Sequence, residues 1–227
     1  MLGGPRPIGA ILCHGMLSDK DSPKYQQLAE QLSARNIPTL RFDFSGRGES
    51  GGSLFDMTYS KQIEDLNAAI EYLAASGCTR VALFGSSMGG TVAILVASRD
   101  ERVVAIATMA AVAHTETMAE RYPSQVEHWR QQGYIQTESG RIGSGFIDDA
   151  ETHDVIAAAG TLLAPLHVVH GEEDEVVPSS DAHDLASAAR NASLCLVPDA
   201  DHRFSDPKHL APEIERIAEF FVEVLEG

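Results

Sequence analysis

The chain has 227 residues, 44% of them apolar, and 17 basic against 33 acidic side chains give it a net charge of −16. That length supports one domain with a sizeable core rather than two. Its charge repels a nucleic-acid backbone or an anionic membrane, so neither is expected as a partner; a small uncharged or weakly charged molecule is.

Met1 to Pro7 shows no apolar signal core, and the only long apolar stretch, Val103 to Ala113, is too short to span a bilayer, so a cytoplasmic location is expected. Ile8 to Cys13 reads as a first strand and Tyr25 to Arg35 as a helix. The pair recurs as Thr39 to Phe44 with Lys61 to Ala75, and as Arg80 to Phe84 with Met88 to Ser98. After an interruption the alternation resumes with Leu166 to His170, a helix from Ser179 to Ala189, Leu194 to Val197, and an amphipathic helix from Pro212 to Leu225. Near-continuous apolar strands alternating with helices predict an α/β fold, with a mostly parallel sheet of about six strands covered on both faces. Residues 1–114 and 150–227 form the core in this reading, and 115–149 a small cap insertion.

The interruption holds Tyr122, Trp129, Tyr134 and Phe146, and Tyr134 to Thr137 with Arg141 to Gly143 predicts a small hairpin. Trp129 and Tyr134 are candidate substrate-pocket residues; the alternative is that they build a miniature core of the cap itself. Cys13, Cys78 and Cys195 are odd in number and widely spaced, which suits neither a disulfide framework nor a zinc site. No metal or cofactor is expected.

Chemistry concentrates at Gly85-Ser86-Ser87-Met88-Gly89, where an apolar strand runs into Gly-x-Ser-x-Gly and out into a small-residue helix. That context defines a nucleophile elbow with Ser87 as nucleophile. Gly48-Glu49-Ser50-Gly51-Gly52 fits the same pattern, but loop sequence flanks it on both sides, so Ser50 is rejected. A serine hydroxyl needs a base oriented by a buried carboxylate. Asp174 follows the strand ending at His170, and His202 follows the strand ending at Val197, which completes the order Ser, Asp, His. Asp199 or Asp201 could orient His202 instead. Donors for the tetrahedral oxyanion are assigned to the backbone N–H groups of Met88, at a helix N-terminus, and of Met16, after the first strand, with His14 in support.

His14-Gly15-Met16, Arg41 to Ser50, Gly85 to Gly89, His170 to Asp174 and Asp201 to Phe204 fall in one familiar order, and the chain resembles the α/β-hydrolase superfamily over nearly its whole length. The cap segment around Trp129, Gly133-Tyr134 and Phe146 to Asp149 resembles that of cinnamoyl and feruloyl esterases and of serine aminopeptidase-like hydrolases. The resemblance implies two further strands ahead of the one leading to His14-Gly15, whereas only seven residues precede Ile8. An edge left open in this way is a route to a homodimer.

The resulting expectation is a cofactor-free esterase acting on a small or aromatic acyl ester through an acyl-enzyme on Ser87, with activity falling at acid pH as the histidine base protonates. Thioester or amide hydrolysis and acyl transfer use the same residues and stay open. An aminopeptidase would want acids such as Glu116, Glu120 or Glu127 near the pocket. Two other classes compete: a dinucleotide binder, because Gly46-Arg47-Gly48-Glu49-Ser50-Gly51 fits Gly-x-Gly-x-x-Gly, and a non-catalytic binding protein of the same fold.

Overall fold

The structure is a computed structural model and describes residues 8–121 and 123–226. Met1 to Pro7, where no apolar signal core was expected, and Tyr122 in the cap lie outside the described residues. In chain order the elements are β1 (Ile8–Cys13), α1 (Pro23–Ala34), β2 (Thr39–Arg41), α2 (Tyr59–Ala75), β3 (Arg80–Ser86), α3 (Met88–Ala97), β4 (Val103–Met109), α4 (Met118–Arg121), α5 (Pro123–Gln132), β5 (Tyr134–Thr137), β6 (Gly140–Gly143), α6 (Gly145–Ala150), α7 (Val155–Thr161), β7 (Leu166–Gly171), α8 (Ser179–Ala188), β8 (Ala192–Val197) and α9 (Pro207–Glu226).

β2, β1, β3, β4, β7 and β8 form one sheet in that order, with every neighbouring pair parallel. Because successive side chains leave a strand on opposite sides, the apolar runs feed two separate cores. Val81 and Leu83 pack on one face with Leu66 and Ile70 of α2, Val92 of α3 and Leu185 of α8. Ala82 and Phe84 pack on the other with Leu28 of α1 and Ile214 and Ile217 of α9. Among the described residues, no helix is long and apolar enough to cross a membrane.

Two boundaries differ from the sequence reading by three residues or more. β2 stops at Arg41 rather than Phe44, because the Phe44 N–H donates to His14 Nε2 at 3.0 Å and Asp43 becomes the hub of a turn. α9 begins at Pro207 and carries Pro212 inside it. Pro212 forfeits one helical hydrogen bond. Leu210, Ile214, Ile217 and Phe221, all buried at helical spacing, offset that loss and hold the helix on the sheet.

His167 gives this core an acid sensitivity. It is buried on β7 with Nδ1 2.7 Å from Ser193 Oγ, while its buried Nε2 has no hydrogen-bond partner among the described residues. Burial first, and the nearby Arg216 charge second, push its pKa from 6.5 down to about 4. The unfolded chain therefore takes up this proton first, so the stability present above pH 6.5 is lost as pH falls toward 4, by about 3 kcal/mol. His167→Leu should flatten that limb: its urea midpoint should drop less between pH 7 and 4.5 than that of the wild type. An unchanged drop would remove His167 as the source.

Candidate active site

Ser87 joins β3 to α3 with φ 53° and ψ −126°, a left-handed conformation that a serine adopts only under constraint. The constraint is visible in the hydrogen bonds: its N–H donates to the Met109 carbonyl at 2.9 Å, and its carbonyl accepts the Gly90 N–H at 2.9 Å. A Cβ on Gly85 would stand 2.2 Å from the Gly89 carbonyl oxygen, and one on Gly89 2.3 Å from that of Cys13. Close approach of strand, helix and the end of β1 therefore requires both flanking glycines.

The turn aims Ser87 Oγ at His202, whose Nε2 lies 3.1 Å away, and His202 Nδ1 lies 2.8 Å from Asp174 Oδ2. A carboxylate only accepts, so the proton sits on Nδ1, and Nε2 is free to accept from the Ser87 hydroxyl. The structure thus brings Ser87, His202 and Asp174 into one hydrogen-bonded line. Neither Asp199 nor Asp201 takes the Asp174 position; Asp201 Oδ1 accepts the Ser205 N–H at 2.8 Å instead.

Asp174 is held from all sides. Its Oδ1 accepts the Val176 and Val177 N–H groups at 2.9 and 2.8 Å, and its Oδ2 faces His170 Nε2 at 3.1 Å as well as His202. Burial alone would raise its pKa, but the bonds from His170, His202 and the Val177 N–H overcome this and hold the carboxyl well below the usual carboxylate range. His170 is a residue that sequence reasoning passed over. Its Nε2 also lies 2.9 Å from the Val177 carbonyl, so it faces two acceptors and carries the proton, donating to Asp174. Its spacing, four residues before Asp174 at the end of β7, was the available signal.

The loop after β1 lies directly over the elbow, a Cβ on Gly15 being 3.4 Å from Ser87 Cβ. Met88, the first residue of α3, has an N–H that the helix leaves unpaired, and Met16 and Met88 both border the space in front of Ser87. His14 does not face that space. Its Nε2 accepts the Phe44 N–H, which places its proton on Nδ1 for the bond to the Gly15 carbonyl at 2.7 Å. Burial lowers its pKa and keeps it neutral, so His14 braces the loop.

The Gly-rich stretch after β2 braces it too. Arg47 donates to the Ser18 and Leu17 carbonyls at 3.1 and 2.8 Å, and Asp43 accepts the Lys20 and Glu49 N–H groups at 2.8 and 3.0 Å. Burial works against the Asp43 charge, yet the Lys20 ammonium and these N–H groups hold its pKa down at about 2. A Cβ on Gly48 would fall 2.1 Å from Asp43 Oδ2. The concavity of the Gly-x-Gly-x-x-Gly pattern thus already holds a carboxylate, which repels phosphate, and the chain then passes into a short 3-10 helix at Leu54–Asp56. The dinucleotide reading has no structural support. Ser50 Oγ donates to the Asp43 carbonyl and belongs to the same brace.

A cavity of about 550 Å³ opens in front of Ser87 and His202. Tyr59, Val112, Val176 and Val177 give it an apolar wall, while Ser18, Ser22, Lys24 and Arg203 give it a polar one. Trp129 and Tyr134 do not line it, contrary to the sequence assignment. Trp129 stacks on Phe146 at 5.6 Å and donates from Nε1 to the Ile142 carbonyl at 3.0 Å, and Arg141 sits over the Tyr134 ring at 4.3 Å. Trp129 is buried in the core cluster it shares with Ile142, Phe146 and Tyr59, Tyr134 stays half-buried beneath Arg141 on the β5–β6 hairpin, and the tyrosines that line the cavity are Tyr25 of α1 and Tyr59 of α2. Glu116 is taken by His114 Nδ1 at 3.2 Å and Glu127 by Gln131 at 2.7 Å, and Glu116, Glu120 and Glu127 are all absent from the lining.

A six-stranded parallel sheet flanked by helices, with a strained serine between β3 and α3 and a histidine and a carboxylate after β8 and β7, defines an α/β-hydrolase. The profile of the serine aminopeptidase S33 hydrolases matches residues 9–138, more than half of the chain, and the chain belongs to that family. It is 28% identical over 222 residues to the mitochondrial palmitoyl-protein thioesterase ABHD10 of Mus musculus, which covers 90% of this chain and 72% of the relative. Its fold superposes with a TM-score of 0.84 on Est1E of Butyrivibrio proteoclasticus, solved with ferulic acid, at 22% identity over 97% and 90% of the two chains. A monoacylglycerol lipase of Paleococcus ferrophilus gives a TM-score of 0.76 at 19% identity over 98% and 96%.

Proposed function

We propose that this chain is a serine hydrolase that cleaves carboxylic esters through an acyl-enzyme on Ser87. The observation that carries the reading is the line from Ser87 through His202 to Asp174, open to the cavity at its serine end. Ser87 Oγ attacks the ester carbonyl as His202 Nε2 takes its proton, and Asp174 stabilises the imidazolium. The Met16 and Met88 N–H groups hold the oxyanion. His202 returns the proton to the leaving alcohol, then activates water to release the acid and regenerate the enzyme.

The apolar wall suits a small or aromatic acyl group, and a cavity of about 550 Å³ accommodates a small-molecule substrate. Thioester hydrolysis is the second reading, favoured by the 28% identity to a palmitoyl-protein thioesterase. Aminopeptidase chemistry is disfavoured, because no Asp or Glu among the described residues lines the cavity to hold a substrate amine.

The test is intact-mass labelling by a fluorophosphonate, with wild type and Ser50→Ala labelled and Ser87→Ala not. A matched ester, thioester and amide then rank the reactions, the amide being slowest. Absence of labelling in folded wild-type protein, together with absence of turnover, would return the fold to a non-catalytic binding role.

A further inference from the structure

Lys24 stands in the wrong place for stability. It occupies the first turn of α1, where the helix dipole disfavours a cation, and it is only 9% exposed. Its Nζ donates to Ser86 Oγ at 3.1 Å, and no carboxylate among the described residues lies within ion-pair distance. Three other buried or half-buried groups face an ionisable partner at ion-pair distance: Asp43 faces Lys20, Asp174 two histidines, and His114 both Glu116 and Asp184. An ammonium taken out of water without a counter-ion is costly, and one set in a cleft with its pKa perturbed by that burial marks a candidate ligand site.

The surroundings say what would complete it. Lys24 lines the cavity beside Ser86, the residue immediately before Ser87, together with the hydroxyls of Ser18 and Ser22 and the guanidinium of the exposed Arg203. Those hydroxyls can donate alongside the ammonium. Although the chain carries a net charge of −16, no acid among the described residues lines this space. Burial foremost, opposed by Asp201 and Asp174 and assisted by Arg203, brings the Lys24 pKa down to about 8, so the group is charged at neutral pH and an arriving anion would restore the interaction that burial removed.

We propose that Lys24, supported by Ser18, Ser22 and Arg203, forms an anion subsite within the substrate cavity, and that the preferred substrate carries a carboxylate within reach of it besides the bond that is cleaved. This deepens the reading of the site as an ester hydrolase and rests on it. A single buried ammonium matches a monoanion; a phosphate dianion would ask for more buried cations than the cavity supplies.

Two matched ester pairs test it. Mono-4-nitrophenyl glutarate against its methyl ester puts the carboxylate on the acyl side, and 4-(butyryloxy)benzoate against its methyl ester puts it on the alcohol side. After correction for hydroxide reactivity, kcat/KM in at least one pair should favour the acid by about ten- to a hundredfold. That ratio should collapse in Lys24→Met and be largely kept in Lys24→Arg. Calorimetry of the two acids on Ser87→Ala protein gives a readout without turnover: binding lost in the Ser87→Ala, Lys24→Met double variant supports the subsite. Should Lys24→Met fail to fold, the wild-type ratios decide alone. Ratios at or below one in both pairs, or a preference indifferent to Lys24, overturn the anion subsite. If no ester is turned over yet an acid binds through Lys24, the subsite stands and the hydrolase reading falls.

Discussion

Ser87→Ala should lower kcat by about a millionfold, to what the oxyanion donors and substrate binding alone sustain. The size follows from the geometry. Among the described residues Ser87 Oγ bonds to His202 Nε2 alone, so removing it takes away the group that this line activates. The fold loses little, because the bonds that fix the elbow run through backbone atoms, from the Ser87 N–H to Met109 and from Gly90 to the Ser87 carbonyl. Alanine meets the same left-handed strain as serine at φ 53°. Activity should therefore vanish with the melting temperature unchanged within about 2 °C. Residual turnover above about one part in a thousand, in protein free of wild type, would assign the nucleophile elsewhere.

The sheet, the elbow and the order of Ser87, Asp174 and His202 were legible because each is written locally. An apolar strand, a glycine pair and a following helix are short-range patterns, and the hairpin at Tyr134–Thr137 and Gly140–Gly143 is another. Where a boundary depends on a tertiary contact, the pattern misleads. Thr39 to Phe44 is apolar enough for a strand, yet His14 captures the Phe44 N–H and ends the ladder at Arg41. Pro212 reads as a helix start until the packing of Leu210 and Ile214 is known. α7 was missed although Asp154 caps it by accepting the Ala157 N–H, a signal present in the sequence.

The cavity wall was the least legible part. Trp129 looks like a ligand contact when only composition is seen, and which way the cap turns it depends on Phe146 and the Ile142 carbonyl. Lys24 is invisible for the same reason: nothing near Ser22-Pro23-Lys24 distinguishes it from a solvated lysine until α1 is laid against the end of β3. His170 is intermediate, since its spacing to Asp174 is readable but the turn that sets both His170 and His202 on the Asp174 carboxylate is not.

Asp174→Asn should cost about 10⁴-fold in kcat while leaving the binding of neutral esters within a few-fold. The carboxylate accepts from four groups: the His202 and His170 rings and the Val176 and Val177 N–H groups. An asparagine of the same shape has one acceptor oxygen and one donor nitrogen, so satisfying the two N–H groups turns its NH₂ toward the two rings. His202 then answers by accepting at Nδ1, which moves its proton to Nε2 and leaves no base facing Ser87. Fluorophosphonate labelling should slow in parallel, because it depends on the same base. Stability should fall as well. The Asp174 carboxyl is held below its unfolded value, so its contribution is present above about pH 3.8 and is lost only as pH falls through the folded value. The variant should therefore melt lower at pH 7 and show a shallower acid limb. Asp199→Asn and Asp201→Asn, which touch the rival carboxylates, should each lose less than about tenfold in kcat. If either matched Asp174→Asn, the orienting role would belong to the loop that carries His202 rather than to the one that follows β7.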